Sequence, residues 1–130
     1  MPTFQFNKLV RDKLRSIYDQ LGQTVQTRDL SESELKDAIR NKIIEEAKEL
    51  PINSASTEEI AGELADIQQA LDDLAAKCGV SSEQISSKKA TKFAEKGGFR
   101  EGLFVETITL HDDDEWVQYY RNEPEKYPEI

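Results

Sequence analysis

Apolar residues recur along most of the chain at the three- and four-residue spacing of helix faces. Val10, Leu14, Ile17 and Leu21 form the first such stripe, Gly22 closes it, and Asn7 is placed to cap it because its short side chain can accept bonds from orphan amides. A polar link leads to Ser31 or Ser33, either of which can start a second helix carrying Leu35, Ile39, Ile43 and Leu50 on one face, with Pro51 as its stop. A turn-like stretch from Ile52 to Ser56 follows. Thr57 then opens a capping box for a third helix with Ile60, Ile67, Leu71 and Leu74, ending at Gly79. Ser81 or Ser82 caps a fourth helix, which fades at Gly97 and Gly98.

After residue 102 the pattern changes. Leu103 to Leu110 alternates apolar and polar positions and is rich in β-formers, which predicts one strand or half a hairpin. Asp112 to Asp114 are placed to cap a short helix bearing Trp116, Tyr119 and Tyr120, and Pro124, Pro128 and several glutamates predict an extended tail. The expected fold class is all-α: a four-helix-bundle-like core over residues 1–104, and a short strand or tail extension, 105–130, belonging to the same unit. No internal repeat or low-complexity segment is present.

Composition narrows the choice. At 130 residues one domain is expected, and with 37% hydrophobic and 33% charged residues its core must come from narrow stripes. A net charge of −9 argues against nucleic acid or an anionic bilayer as partner, since both would repel this field. A polyanionic substrate would need a cation to reach it. Cys78 is the single cysteine, which excludes an internal disulfide and multi-cysteine zinc sites. Neither a basic start followed by an apolar block nor a run of about 18 apolar residues occurs, so a cytoplasmic protein is expected.

Two acidic motifs change the picture most: Glu45, Glu46 and Glu49 on the second helix, and Glu63 and Asp66 on the third. Acids at helical spacing usually form a solvated face. At about 100° per residue, however, Glu46 falls within the arc of Leu35, Ile39, Ile43 and Leu50, with Glu49 and Lys42 at its edge, and Glu63 falls among the apolar residues of the third helix with Asp66 beside it. Inward carboxylates from neighbouring helices require buried cationic partners or a metal. Lys42 is one partner, but it cannot neutralise four acids. Oxygen ligands without histidine or cysteine select a hard cation, Mg²⁺ or else Mn²⁺.

The segment Lys42-Ile-Ile-Glu-Glu-Ala-Lys-Glu followed, after a 13-residue gap, by Glu63-Leu-Ala-Asp-Ile resembles the signature of the all-α nucleoside triphosphate pyrophosphohydrolases, the MazG-like superfamily. Phe6-Asn-Lys-Leu-Val-Arg-Asp-Lys and the later Lys88 through Lys96-Gly-Gly-Phe resemble its small stand-alone members, and the likeness spans roughly residues 4 to 104. The resemblance implies a MazG-type core and hydrolysis of a nucleoside triphosphate to a monophosphate and pyrophosphate. It further implies Glu46, Glu49, Glu63 and Asp66 as metal ligands, Glu45 as an added ligand or water-orienting group, and a homodimer or homotetramer whose site a neighbouring subunit commonly completes. The histidine-biosynthesis branch usually continues its second motif with an aromatic residue and a histidine. Here Gln68, Gln69 and Ala70 follow, which disfavours phosphoribosyl-ATP as substrate and favours clearance from the nucleotide pool.

Lys8, Arg11 and Arg15 recur at helical spacing near the start, and Lys88, Lys92 and Lys96 do so on the fourth helix. Such residues on an acidic protein commonly form surface ion pairs. Those in the resembling motif, Asn7, Lys8, Arg11 and Asp12, are the stronger candidates for substrate contacts, joined by Lys42, Lys88 and Lys92. His111 has no motif partner, and Gly97-Gly98 lacks the wider glycine pattern of a phosphate loop. Trp116, Tyr119 and Tyr120 are expected to anchor the tail, with cover for a subunit interface or the base pocket as the alternatives. The competing readings are phosphoribosyl-ATP hydrolysis and a non-enzymatic acidic helical interaction module.

Overall fold

A computed structural model describes residues 1–53 and 56–130; positions 54–55, inside the expected turn, lie outside the described residues. Among the described residues five helices follow in order: α1 (Leu14–Gln20), α2 (Glu32–Glu49), α3 (Thr57–Lys77), α4 (Ser82–Lys96) and α5 (Trp116–Arg121). The chain divides into two compact units, Met1–Lys92 and Phe93–Ile130, with the boundary inside α4. No helix among the described residues is long and apolar enough to cross a membrane.

In the first unit α2 packs on α3 as an antiparallel hairpin. Local chemistry sets its ends. The Ser31 hydroxyl accepts from the Glu34 amide at 3.3 Å while the Glu34 carboxylate accepts from the Ser31 amide at 3.2 Å, a reciprocal cap whose loss typically costs about 1 kcal/mol. The Arg28 side chain adds to that cap at 3.1 Å, and these donors hold Glu34 below the usual carboxylate range. Pro51 follows the last residue of the cap and cannot extend α2. The Ser56 hydroxyl, rather than Thr57, caps α3, accepting from the Glu59 amide at 3.2 Å, one position ahead of the expected residue. At the far end Gly79 adopts φ 72°, so that the Val80 amide reaches back to the Ala75 carbonyl at 2.9 Å. Lys77 then meets Glu32 at 3.2 Å, joining the end of α3 to the start of α2.

Ile39, 5% exposed, is the one buried residue among those described. Leu35, Ile43 and Leu50 on α2 and Ile60, Ile67, Ala70 and Leu74 on α3 are half-buried around it. Leu71 departs from the expected stripe: it is exposed, as are Leu64 and Ile44, because residues 63, 66, 67, 70 and 74 make up the half-buried line and leave 64 and 71 beside it.

The amino-terminal segment also departs from expectation. It has no helix before Leu14, and Asn7 does not cap one; it sits at φ 46°, a left-handed conformation that asparagine tolerates better than most residues. Val10 therefore lies ahead of α1, and the Lys8, Arg11 and Arg15 stripe does not exist as a helix face. Long-range charge pairs, described below, hold this segment instead. Gly22, at φ 70°, closes α1 as its position suggests.

In the second unit, Leu103 to Leu110 forms no strand. A strand needs a paired neighbour for its amides and carbonyls, and no backbone hydrogen bond forms along this segment. Asp114 accepts from the Trp116 amide at 2.8 Å and thereby starts α5. The tail does not extend; it turns at Glu123, whose carbonyl accepts from the Lys126 and Tyr127 amides at 3.1 and 2.8 Å. Tyr127 stacks edge-on against Tyr120 with ring centroids 4.8 Å apart, and Arg121 grips Glu129 through two bonds of 2.8 and 3.1 Å. Trp116 and Tyr119 complete the aromatic cluster at 5.1 Å, so the expected anchoring is local to this unit.

Candidate metal centre

Residues three apart on a helix lie on one face, so Glu63 and Asp66 project from α3 together, and the hairpin sets them opposite Glu46 of α2. One carboxylate oxygen from each of the three lies within 4.8 Å of the others, and all three residues are half-buried. The Glu63 Oε2 atom is enclosed and meets no hydrogen-bond donor. Its carboxyl is held above the usual range, first by a hydrogen bond shared with Glu46, then by burial, and then by the charges of Glu46, Asp66 and Glu49. Like charges this close disfavour joint ionisation, and a shared proton or a bound cation relieves them. The donor set is oxygen alone, it includes an enclosed oxygen with no donor, and it suits a hard divalent cation.

The other candidate residues divide between this cluster and the surrounding surface. Glu49 is exposed and stands outside the close trio, although its charge acts on Glu63. Glu45 turns toward two lysines, Lys8 at 3.3 Å and Lys42 at 3.9 Å. Lys42 also lies 3.4 Å from Glu46, the most enclosed carboxylate of these ion pairs, its side chain being 12% exposed. Arg11 donates to Asp66 at 2.6 Å. Asn7 is exposed next to Lys8. Arg15 is engaged elsewhere, with Thr27 at 2.9 Å and Asp29 at 3.7 Å. Lys88 and Lys92 line an open depression of about 330 Å³ with Val80, Gln84, Ile85 and Lys89, and neither forms an ion pair with the acid cluster.

Lys8, Arg11 and Lys42 thus ring the acids, two of them supplied by the non-helical amino-terminal segment. Spacing gave no warning that Lys8 and Arg11 would meet acids 37 and 55 positions away, because those contacts exist only after folding. All these pairs are partly solvated, so each is worth little to stability. Their significance is positional: cations stand at the mouth of an anionic cluster. Comparison of the chain with family models, curated proteins and solved structures gave no match.

Proposed function

We propose that this chain is a magnesium-dependent nucleoside triphosphate pyrophosphohydrolase that cleaves between the α and β phosphates, within a MazG-type helical fold, in the cytoplasm. The reading rests on one observation above all: an enclosed Glu63 oxygen without a donor, set against Glu46 and Asp66. The motif resemblance supplies the reaction class.

Glu46, Glu63 and Asp66 would hold the cation, with Glu49 next to them as a further acid. A bound divalent ion supplies charge neutralisation and polarisation of the phosphoanhydride. Arg11, released from Asp66, and Lys8, released from Glu45, turn to the phosphate oxygens, and Lys42 keeps Glu46 in place. Glu45, freed of Lys8 and still beside Lys42, accepts the proton of the attacking water. Water adds at the α phosphorus, the bond to the bridging oxygen breaks, and pyrophosphate leaves, so one monophosphate and one pyrophosphate form per water consumed. Lys88 and Lys92 belong to this reading as contacts in the assembled protein. Exposed Ile44, Leu64 and Leu71 on the hairpin support a homo-oligomer in which a second copy covers them.

A panel of canonical and modified nucleoside triphosphates, incubated with magnesium and resolved for products, tests the proposal. It predicts equal release of monophosphate and pyrophosphate. Diphosphate with free phosphate, or no turnover across the panel, would contradict it.

A further inference from the structure

Asp66 has two claims on it. It stands in the close trio with Glu46 and Glu63, and it accepts from the Arg11 guanidinium at 2.6 Å. Both residues belong to the first unit, so the contact lies within it. The two cations at the trio are held differently. Lys42 is on α2, one helical turn from Glu46 and 3.4 Å from its carboxylate, so the helix itself keeps the two together. Arg11 comes from the non-helical amino-terminal segment, 55 positions from Asp66, and only its carbonyl is tied locally, accepting from the Leu14 amide at 3.0 Å. Its guanidinium can leave Asp66 without any helix unwinding, and the pair is partly solvated, so parting it costs little. Charge decides when it leaves. Three ionised carboxylates balance one lysine and one divalent cation, and Lys8 is already matched by Glu45 at 3.3 Å. With a divalent ion on the trio Arg11 is surplus, a fixed positive charge repelled by the ion beside it.

We infer, on the reading of Glu46, Glu63 and Asp66 as a metal centre, that Arg11 is a built-in competitor for the cation: it occupies Asp66 without metal, is driven off by a divalent ion, and is then taken up by the substrate's phosphates. Guanidinium and phosphate pair through two parallel bonds, so the phosphate chain offers the freed Arg11 a strong partner. Binding thereby acquires an order and a coupling. The ion binds less tightly while Arg11 competes, and a bound phosphate chain removes the competitor, so ion and substrate each raise the other's affinity. A handicap of about fivefold on the ion corresponds to a trio clear of Arg11 about one fifth of the time. Arginine keeps its charge at any ordinary pH, so ion and phosphate, rather than protons on Arg11, operate this latch.

Nitrogen relaxation of the arginine side chains in the full-length protein tests this without reading turnover. The Arg11 Nε group is expected to be ordered without metal, mobile in saturating magnesium, and ordered again once inorganic pyrophosphate is added. Arg121, which grips Glu129, should be unchanged across the three states. In calorimetry, Arg11→Ala is expected to tighten magnesium binding about two- to fivefold without pyrophosphate, and to weaken pyrophosphate binding by the magnesium-loaded protein. An Arg11 side chain with the same mobility in all three states, one that stays mobile after pyrophosphate, or unchanged magnesium affinity in Arg11→Ala would overturn the inference and leave the metal centre standing. Absence of magnesium binding in the parent would overturn both.

Discussion

Glu63 and Glu34 are both glutamates on neighbouring helices, and their surroundings drive them in opposite directions. Glu34 receives the Ser31 amide, the Ser31 hydroxyl and the Arg28 side chain, and its carboxyl is lowered. Glu63 faces Glu46 with an oxygen that no donor reaches, and its carboxyl is raised. One acid is satisfied by donors of its own chain, whereas the other keeps an oxygen that none of them reaches. Asp72 and Asp73, further along α3, are a third case: both are exposed, and Gln69 donates to Asp73 at 3.3 Å. Acidic spacing alone does not separate these cases; what faces each carboxylate does.

The largest effect expected from this contrast is on turnover. Glu46→Gln, Glu63→Gln or Asp66→Asn should each lower pyrophosphate release by about 10² to 10³, on the scale of losing one preorganised electrostatic group. Asp72→Asn and Asp73→Asn should leave it within a factor of about two, since exposed charges on this surface contribute little. Far-UV circular dichroism should show the helices retained throughout. Comparable activity in both groups would erase the distinction.

The next effect is on thermal stability. Magnesium binding to the folded state should raise the melting temperature of the parent protein, and Glu63→Gln should remove that rise while Ser31→Ala leaves it intact. Ser31→Ala should instead lower stability by about 1 kcal/mol with or without magnesium, because it breaks only the cap.

A pH series sharpens the same opposition. Because the folded-state value of Glu63 is raised, its contribution to metal-free stability is full below the unfolded-state value and is lost as pH rises through the folded one. Glu34 has the reverse sign: its contribution is present above the unfolded-state value and is lost as pH falls through its lowered folded one. Glu63→Gln should therefore flatten the first slope, and Glu34→Gln the second, in denaturant melts of metal-free protein. The smallest effect belongs to Arg11, which competes for Asp66 through a partly solvated pair. Arg11→Ala should tighten magnesium binding by no more than about fivefold.

Much of the hairpin was legible in the sequence because its signals are local. Ser31 with Glu34, Pro51 and Gly79 act within a turn of their own position, and the inward placement of Glu46 and Glu63 follows from helical periodicity. Thr57 was wrong by one residue because Ser56 and Thr57 carry the same chemistry, and only backbone conformation decides between them. The amino-terminal segment was misread because Val10 fits the spacing of Leu14 and Ile17, while Lys8 and Arg11 are drawn to Glu45 and Asp66 from far along the chain. The tail was misread for a similar reason, since Tyr127 and Glu129 fold back onto α5 through side-chain contacts that prolines and charge do not reveal. At Leu103 to Leu110 the alternation was visible, but a strand is a property of two segments, and this segment forms no backbone ladder.

The decisive property of this chain is whether the carboxylates of Glu46, Glu63 and Asp66 hold a divalent ion. Calorimetric titration of manganese into parent protein, Glu63→Gln and Asp73→Asn at neutral pH addresses this directly. Saturable binding is expected in the parent and in Asp73→Asn, and at least one equivalent should be lost in Glu63→Gln. Identical binding curves for all three proteins would contradict the assignment.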